Sequence, residues 1–439
     1  MKIISIIVGK IVLFLCELIG RGSAFPGEFT YKLNKNILKD LEKPKLIIAV
    51  TGSSGKGSTT KIIANVFKKL NYKIAFNDKD SNERGAIITT LLKNSTITGK
   101  AKTDVGIFEV DERYVKYIFP DLKPNYVVIN NITRDQPPRQ RHYDFVLSEI
   151  EKGLTKDMNL ILNADDPYLH KLALENKYNI TYFGINKLKT SYKTNNFPVL
   201  NINRCLKCHN KLEYNYYQIE HLGDYYCPKC DFKRPKCDYE ITDFKDNTIT
   251  INNKYNIKLN SDILFNLYNT AGAFTVLSLC KLPLEKCTKI ISDTNTANKN
   301  IYDKYKYNNK DIYVLNNKNE NATTFNESIL YAKKDKELKT VVIGWWQISR
   351  RYDFDDLSWL YDIEFELLKD NTKEFIVCGP QRYDLAVRLK YANIDPKDIK
   401  IYENLEKAQD EIKNVNTNIY AILNFDYIKP FNNIMKEDK

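Results

Sequence analysis

Histidine is scarce in this chain of 439 residues, with four in all, at positions 142, 170, 209 and 221. A thiol nucleophile that needs a histidine base therefore has few partners to draw on. Cys378-Gly379 follows an apolar strand and has the outline of a nucleophile turn, but no histidine is near it in sequence. It reads as a packed strand-end cysteine. Nine cysteines are too few for a disulfide scaffold at this length. Four of them fall in two Cys-x-x-Cys pairs, which points to a metal and a reducing compartment. A long unbroken apolar run is also lacking. Residues 3–19 come nearest, but Lys10 and Glu17 interrupt them, and a charge in mid-span is expensive in lipid. No clear small-residue cleavage site marks a signal peptide. The stretch reads as a helix packed on the body of the protein or lying on a membrane. There is no internal repeat and no low-complexity block.

What is present is an ordinary globular composition, 43% hydrophobic and 28% charged, long enough for two or three domains. The net charge of +12 suits an anionic partner such as a nucleotide, a nucleic acid or an acidic membrane. The plainer reading, a solvated surface rich in Lys and Asn, is preferred.

Residues 46–60 organise the chain. Leu46 to Val50 form an apolar, β-branched run that predicts a buried strand. Thr51-Gly52-Ser53-Ser54-Gly55-Lys56-Gly57-Ser58-Thr59-Thr60 follows, and Ile62, Ile63, Val66, Phe67 and Leu70 then recur at helical spacing. Strand, glycine turn and helix make a phosphate cradle. Gly52 and Gly55 let backbone N–H groups turn inward, and the helix N-terminus adds partial positive charge. Lys56 can reach terminal phosphates, and a hydroxyl at Ser58 or Thr59 can hold Mg²⁺. Two residues separate Gly52 from Gly55, fewer than in the general P-loop.

From 46 to about 185 strands and helices alternate, with further strands expected at 105–110, 126–130, 159–162 and 181–183. Polar clusters sit at three strand ends: Glu109-Val110-Asp111-Glu112, Asn130 to Gln136 with Arg139, and Asn163-Ala164-Asp165-Asp166-Pro167. Carboxylates beside a phosphate loop are what Mg²⁺ requires. Cys205-x-x-Cys208 and Cys227-x-x-Cys230, 18 residues apart, make two knuckles whose four thiolates form a closed, structural Zn²⁺ site. His209 and His221 lie near enough in sequence to substitute. Helical periodicity returns at 262–280, residues 292–311 read as a linker, and a second α/β alternation runs to the end. The expected domains are an arm at 1–45, a nucleotide-binding domain at 46–300 with the ribbon inserted at about 201–240, and a C-terminal α/β domain at 301–439.

The form Thr-Gly-x-x-Gly-Lys resembles the Mur ligase superfamily. Glu109 to Glu112, Arg134-Asp135-Gln136 with Arg139, Asn163 to Pro167, and Asn266-x-x-Asn269-x-Ala271 resemble its central domain. The four-cysteine ribbon, the Gly20–Gly27 loop and the segment Asp356 to Glu366 narrow the resemblance to the MurT family, over nearly the whole chain. That family implies a Mur ligase-type α/β fold and an ATP-dependent carbon–nitrogen ligase of peptidoglycan synthesis. The D-glutamate α-carboxylate of lipid II would be amidated to D-isoglutamine through an acyl phosphate, using ammonia from a GatD-like glutaminase subunit. The implied setting is the cytoplasm, peripheral at the inner membrane face, with no nucleic acid bound. By motif position Gly52, Gly55, Lys56, Gly57, Ser58 and Thr59 bind phosphates, Ser58 and Glu109 hold Mg²⁺, Asn266 meets the adenine, and Asp165 lies on the nucleotide side. Asp356 matches an aspartate that completes the glutaminase's Cys-His pair, with Asp353 and Asp355 as neighbours. Gln136 stands where other Mur ligases carry a metal-binding histidine. Gly57 replaces a usual threonine, and Trp345-Trp346-Gln347 and Lys318 to Asn326 also depart from the family pattern. Two other readings stand beside this one: a stand-alone Mur or folylpolyglutamate synthetase-type ligase, and a zinc-ribbon nucleic-acid-binding NTPase.

Overall fold

Strand β1 (Leu46–Thr51) is buried along almost its whole length, as its apolar run requires in a sheet covered on both faces. Its flanks are β3 (Val105–Glu109) on one side and β4 (Tyr126–Ile129) on the other, both parallel to it. Beyond β3 lies β2 (Ile74–Phe76). Beyond β4 come β5 (Asn159–Asn163) and β6 (Asn179–Ile185). The chain therefore winds outward from β1 in both directions, and the loop after β1 lies at the topological switch point where α/β ligand sites form.

The computed structural model describes all residues except 1, 21, 79–80, 135–141, 198–201, 298–301, 316–320, 347–356 and 437–439. The chain divides into two units. Residues 1–133, 143–195 and 201–297 form the first, and 298–439 with 134–142 and 196–200 form the second.

In the first unit the ribbon hairpin, β7 (Glu213–Ile219) with β8 (Leu222–Tyr226), interrupts the sheet. The sheet then resumes: β9 (Tyr239–Lys245) pairs parallel to β6, and β10 (Thr248–Ile251) and β11 (Tyr255–Lys258) extend it as an antiparallel edge. Asp246-Asn247 and Asn252-Asn253 turn these hairpins with positive φ at both central residues, as a type I′ turn demands. The N-terminal segment belongs to the same body. Ile6, Ile37, Leu38 and Leu41 join the main core cluster, which also takes in Leu212, Tyr225 and Phe232 of the ribbon. Residues Gly20–Gly27 were expected as a loop, but their last part opens the helix Phe25–Leu33. Gly27 lets this helix cross Arg84–Lys93 closely, since a Cβ there would stand 1.9 Å from the Gly85 carbonyl oxygen. Among the described residues no helix is long and apolar enough to cross a membrane.

The second unit holds β12 (Tyr302–Tyr307), β13 (Lys310–Leu315), β14 (Lys339–Gly344), β15 (Thr372–Cys378), β16 (Ile399–Tyr402) and β17 (Asn418–Leu423). Their order is β12-β13-β17-β14-β15-β16, parallel except for β12. The linker expected at 292–311 is a correction. A helix runs from Leu284 to Ala297, and β12 forms a hairpin with β13 through Asn308-Asn309, both at positive φ. The polar Tyr-Lys alternation of β12 suits an edge strand.

Candidate active site

Gly52 and Gly55 have φ of 114° and 79°, which side-chain-bearing residues rarely adopt. Space forbids a side chain as well. A Cβ on Gly52 would stand 2.8 Å from the Asn131 carbonyl oxygen, and one on Gly55 would stand 2.0 Å from Asn269 Oδ1. The helix Lys56–Lys69 starts behind Gly55 with no side-chain cap, so its first amides have no side-chain acceptor of their own. The neighbouring strand end fixes the loop. Ser53 N–H donates to the Asn131 carbonyl (2.9 Å), and Ser54 N–H donates to Asn131 Oδ1 (2.9 Å). Asn130 Nδ2 donates to Thr59 Oγ1 (2.9 Å).

Lys56 folds back over the loop. Its Nζ donates to the Gly52 and Ser53 carbonyls at 2.7 and 3.2 Å and pairs with Glu112 Oε2 at 3.0 Å. Burial pulls the ammonium's pKa down, but Glu112, Asp111 and Glu109 outweigh it and hold the pKa above its ordinary value. The three carboxylates thus favour the charged form of the lysine. Glu109 ends β3 in register with Val50, and it lies so close to the helix start that a Cβ on Gly57 would be 3.0 Å from its Oε2. Asn82 Nδ2 donates to Glu109 Oε1 at 2.9 Å. Ser58 is exposed, whereas Thr59 is buried with its hydroxyl bonded to Asn130 and Asn269. Of the two hydroxyls named for Mg²⁺, Ser58 is the accessible one.

Asn269 supports the loop, a place that its motif did not specify. Helix Leu264–Leu279 sets it against Gly55, and Asn266 lies one turn earlier with its Nδ2 on Ser261 Oγ at 2.6 Å. Asp165, which the motif places on the nucleotide side, is held by the protein's own donors. It is fully buried, and both carboxylate oxygens are taken: Arg234 Nε donates to one at 2.7 Å, and Tyr268 OH and Ile185 N–H donate to the other at 2.7 and 3.0 Å. These bonds tie the ribbon side to the floor of the loop. Asp356 lies outside the described residues, as do Asp353, Asp355, Asp135, Gln136, Arg139 and Lys318 to Glu320.

The four cysteines converge. Cys205 and Cys230 sulfurs are 3.6 Å apart, Cys208 and Cys227 sulfurs are 3.5 Å apart, and all four lie within 4.8 Å of one another. Tetrahedral Zn–S bonds of about 2.3 Å put sulfurs roughly 3.8 Å apart, so the set fits Zn²⁺. Lys207 and Lys229 N–H groups donate to Cys205 and Cys227 Sγ, as knuckle turns provide. Neither histidine joins. His209 is exposed in the knuckle, and His221 is buried edge-on against Tyr143 and Tyr168.

A doubly wound sheet with a Gly-Lys phosphate loop at its switch point, and carboxylates on the next strand, defines an ATP-dependent ligase of the Mur type. The family model for the Mur ligase middle domain matches residues 50–225, and the one for the MurT ligase C-terminal domain matches residues 319–427. A Staphylococcus aureus (strain COL) protein, the lipid II isoglutaminyl synthase (glutamine-hydrolyzing) subunit MurT, is 29% identical over 89% of this chain and 88% of its own. Its namesake from Streptococcus pneumoniae (strain ATCC BAA-255 / R6) is 27% identical over 94% and 91%. The fold is shared with a pseudomurein peptide ligase type C from Methanothermus fervidus (TM-score 0.70, 19% identity, 92% of this chain and 81% of that one). It is also shared with MurF ligase from Thermotoga maritima in complex with ADP (TM-score 0.59, 13% identity, 94% and 84%). The chain is similar to MurT proteins over about nine-tenths of its length.

Proposed function

We propose that this chain is the synthase subunit of a lipid II isoglutaminyl synthase. It transfers the γ-phosphoryl of ATP to the α-carboxylate of D-glutamate in the lipid II stem peptide. Ammonia then attacks the acyl carbon, phosphate leaves, and the product is D-isoglutamine. The observation that carries this reading is Lys56, held charged over a glycine loop beside Glu109 and Glu112, in a chain similar to MurT proteins along its length.

A carboxylate is a poor electrophile, and phosphorylation gives it a leaving group. Little covalent work falls to the protein, so positioning and charge carry the step. The amides around Gly52 to Thr59 hold phosphate oxygens, and Lys56 offsets the charge that builds on the transferred group. Ser58 and Glu109 are the residues that would hold Mg²⁺, whose charge neutralises the phosphates. Asn266 is assigned to the adenine. The cysteine ribbon is assigned a structural Zn²⁺.

Nitrogen from glutamine requires a second protein. Cys378 is buried and its thiol is pushed up to about 12 by that burial, which suits packing rather than attack. The partner is proposed to be a GatD-like glutaminase, with Asp356 orienting its histidine. The second unit exposes Tyr361, Tyr383, Val387 and Tyr391, side chains of the kind that anchor protein interfaces, which supports a docking partner. The setting that follows is the inner face of the membrane, where a lipid-borne acceptor presents its peptide.

The test compares nitrogen sources. The isolated chain should amidate lipid II with ammonia and not with glutamine. In the complex, Asp356→Asn should suppress glutamine-driven turnover by up to roughly 10⁴-fold and spare ammonia-driven turnover. Equal loss with both sources would refute the assigned role of Asp356, and no amidation with ammonia by the wild-type chain would refute the function.

A further inference from the structure

Helix Lys2–Leu18 has two apolar faces and needs only one for packing. Ser5, Ile6, Gly9 and Leu13 face inward, and Gly9 lies so close to Thr30 that a Cβ would meet its hydroxyl at 2.3 Å. The opposite stripe, Ile4, Ile7, Ile11, Phe14 and Leu18, follows the three- and four-residue spacing of a continuous helical face. These side chains are 41% (Ile7) to 68% (Ile4, Leu18) exposed. Ile97, 66% exposed, sits on the adjoining loop, where Gly99 packs on Ile6.

The charges of the helix are turned away from this face. Lys10 donates inward to the Leu92 carbonyl and, at 2.8 Å, to the Ser95 carbonyl, and Glu17 pairs with Lys93 at 2.7 Å. Its interruption of the apolar run, which argued against a membrane span, therefore leaves the outer face uncharged along its length. Exposed Lys100 stands in the loop that carries Ile97, and exposed Lys2 reaches Gly99 of that loop.

We propose that this face lies on an anionic lipid bilayer, in the plane of its interface. At about 25 Å the helix is shorter than the roughly 30 Å hydrocarbon core, so it can lie along the surface but not span it. The stripe is aliphatic with one phenylalanine. It lacks the Tyr, Trp and Arg of protein interfaces, which the second unit's exposed Tyr361, Tyr383 and Tyr391 do provide. Bordering lysines complement acidic headgroups. The proposal deepens the reading above, and it takes from that reading only that the acceptor is carried on a lipid.

Co-sedimentation of the full chain with vesicles tests it without substrate. Vesicles of phosphatidylglycerol and phosphatidylcholine should retain the protein more than phosphatidylcholine alone, and high salt should weaken retention. Ile11→Glu and Phe14→Glu, on exposed positions that leave the packed face intact, should each reduce binding on the order of ten-fold. Circular dichroism checks that both variants fold. No retention of the wild type, or retention unchanged in both variants, overturns the proposal. So does sedimentation analysis without lipid that shows a dimer which the variants abolish, because a second copy would then own the face. Ammonia-driven amidation in detergent solution should persist in the variants. Its absence in the wild type would count against the function while leaving the vesicle result standing.

Discussion

The phosphate loop and the cysteine ribbon are both tight turns beside the same sheet, but they hold their shape by different means. The loop is supported from below. Asn130, Asn131 and Asn269, on a strand end and a helix, bind its backbone and side chains through the protein's own hydrogen bonds. The ribbon has a two-stranded hairpin and two knuckles that bring four thiols to one point. Thiolates at that separation repel unless a cation joins them. Loss of the ligand-binding charge should therefore cost the loop its rate and the ribbon its fold. The two regions are nevertheless connected. Arg234 bonds Asp165, Asp165 N–H bonds Asn163 Oδ1, Asn163 Nδ2 bonds the Asn130 carbonyl, and Asn130 bonds Thr59.

The largest expected effect isolates the loop. Lys56→Ala should reduce ATP-dependent amidation on the order of 10³-fold, because it removes a charge placed where phosphoryl charge develops. Circular dichroism and metal content should match the wild type. A variant that turns over normally would remove Lys56 from the chemistry, and one that fails to fold would erase the contrast with the ribbon.

The second isolates the ribbon. The purified chain should carry about one zinc, and Cys230→Ser or thiol modification should release it. Amide hydrogen exchange should then rise across 205–234, where Tyr225 and Phe232 would lose burial worth roughly 1.5–3 kcal/mol each. A metal-free preparation with full protection in that segment would show that packing alone holds the ribbon.

How far these regions were legible differs for the same reason. The loop's cues are local: an apolar strand, two glycines and a lysine within a dozen or so residues. The ribbon's cues are local to each knuckle. What was missed depends on distant partners. The partners that hold Asp165, Arg234 and Tyr268, are 69 and 103 residues away and give no sign in its neighbourhood. Asn269 reaches Thr59 across 210 residues. The abundant asparagines, read as surface composition, include turn residues. Asn247, Asn252, Asn253, Asn308 and Asn309 adopt positive φ in hairpins that were not foreseen, β12 among them. Paired Asn at such sites is a turn signal, and weighing it would have recovered that hairpin from the expected linker.

The third prediction probes the connection. Arg234→Lys keeps the positive charge but loses the planar fork that reaches Asp165, the Ile185 carbonyl and Glu240 together. Stability should fall by about 1–2 kcal/mol, with zinc retained and KM for ATP raised severalfold as the Asn163–Asn130 support loosens. An unchanged KM would make the two regions independent.

The smallest effect lies in the loop itself, at Gly57. Its φ is not in the left-handed region, so a side chain fits the backbone there. Gly57→Ala should stabilise the first helical turn by about 0.5–1 kcal/mol by restricting the unfolded chain. The new Cβ would stand 3.0 Å from Glu109 Oε2, tighter than ordinary contact, so the carboxylate must yield by a few tenths of an ångström. Glu109 is tethered by Asn82 and gives way within that limit. If Glu109 holds Mg²⁺, this small shift should raise the Mg²⁺ concentration needed for half-maximal turnover about two- to three-fold while the thermal midpoint rises slightly. The pairing of the two readouts is what decides. A higher midpoint with an unchanged Mg²⁺ requirement would take Glu109 out of the metal site. A lower midpoint would mean that the glycine is needed for space, which would make this part of the loop as dependent on close packing as the ribbon.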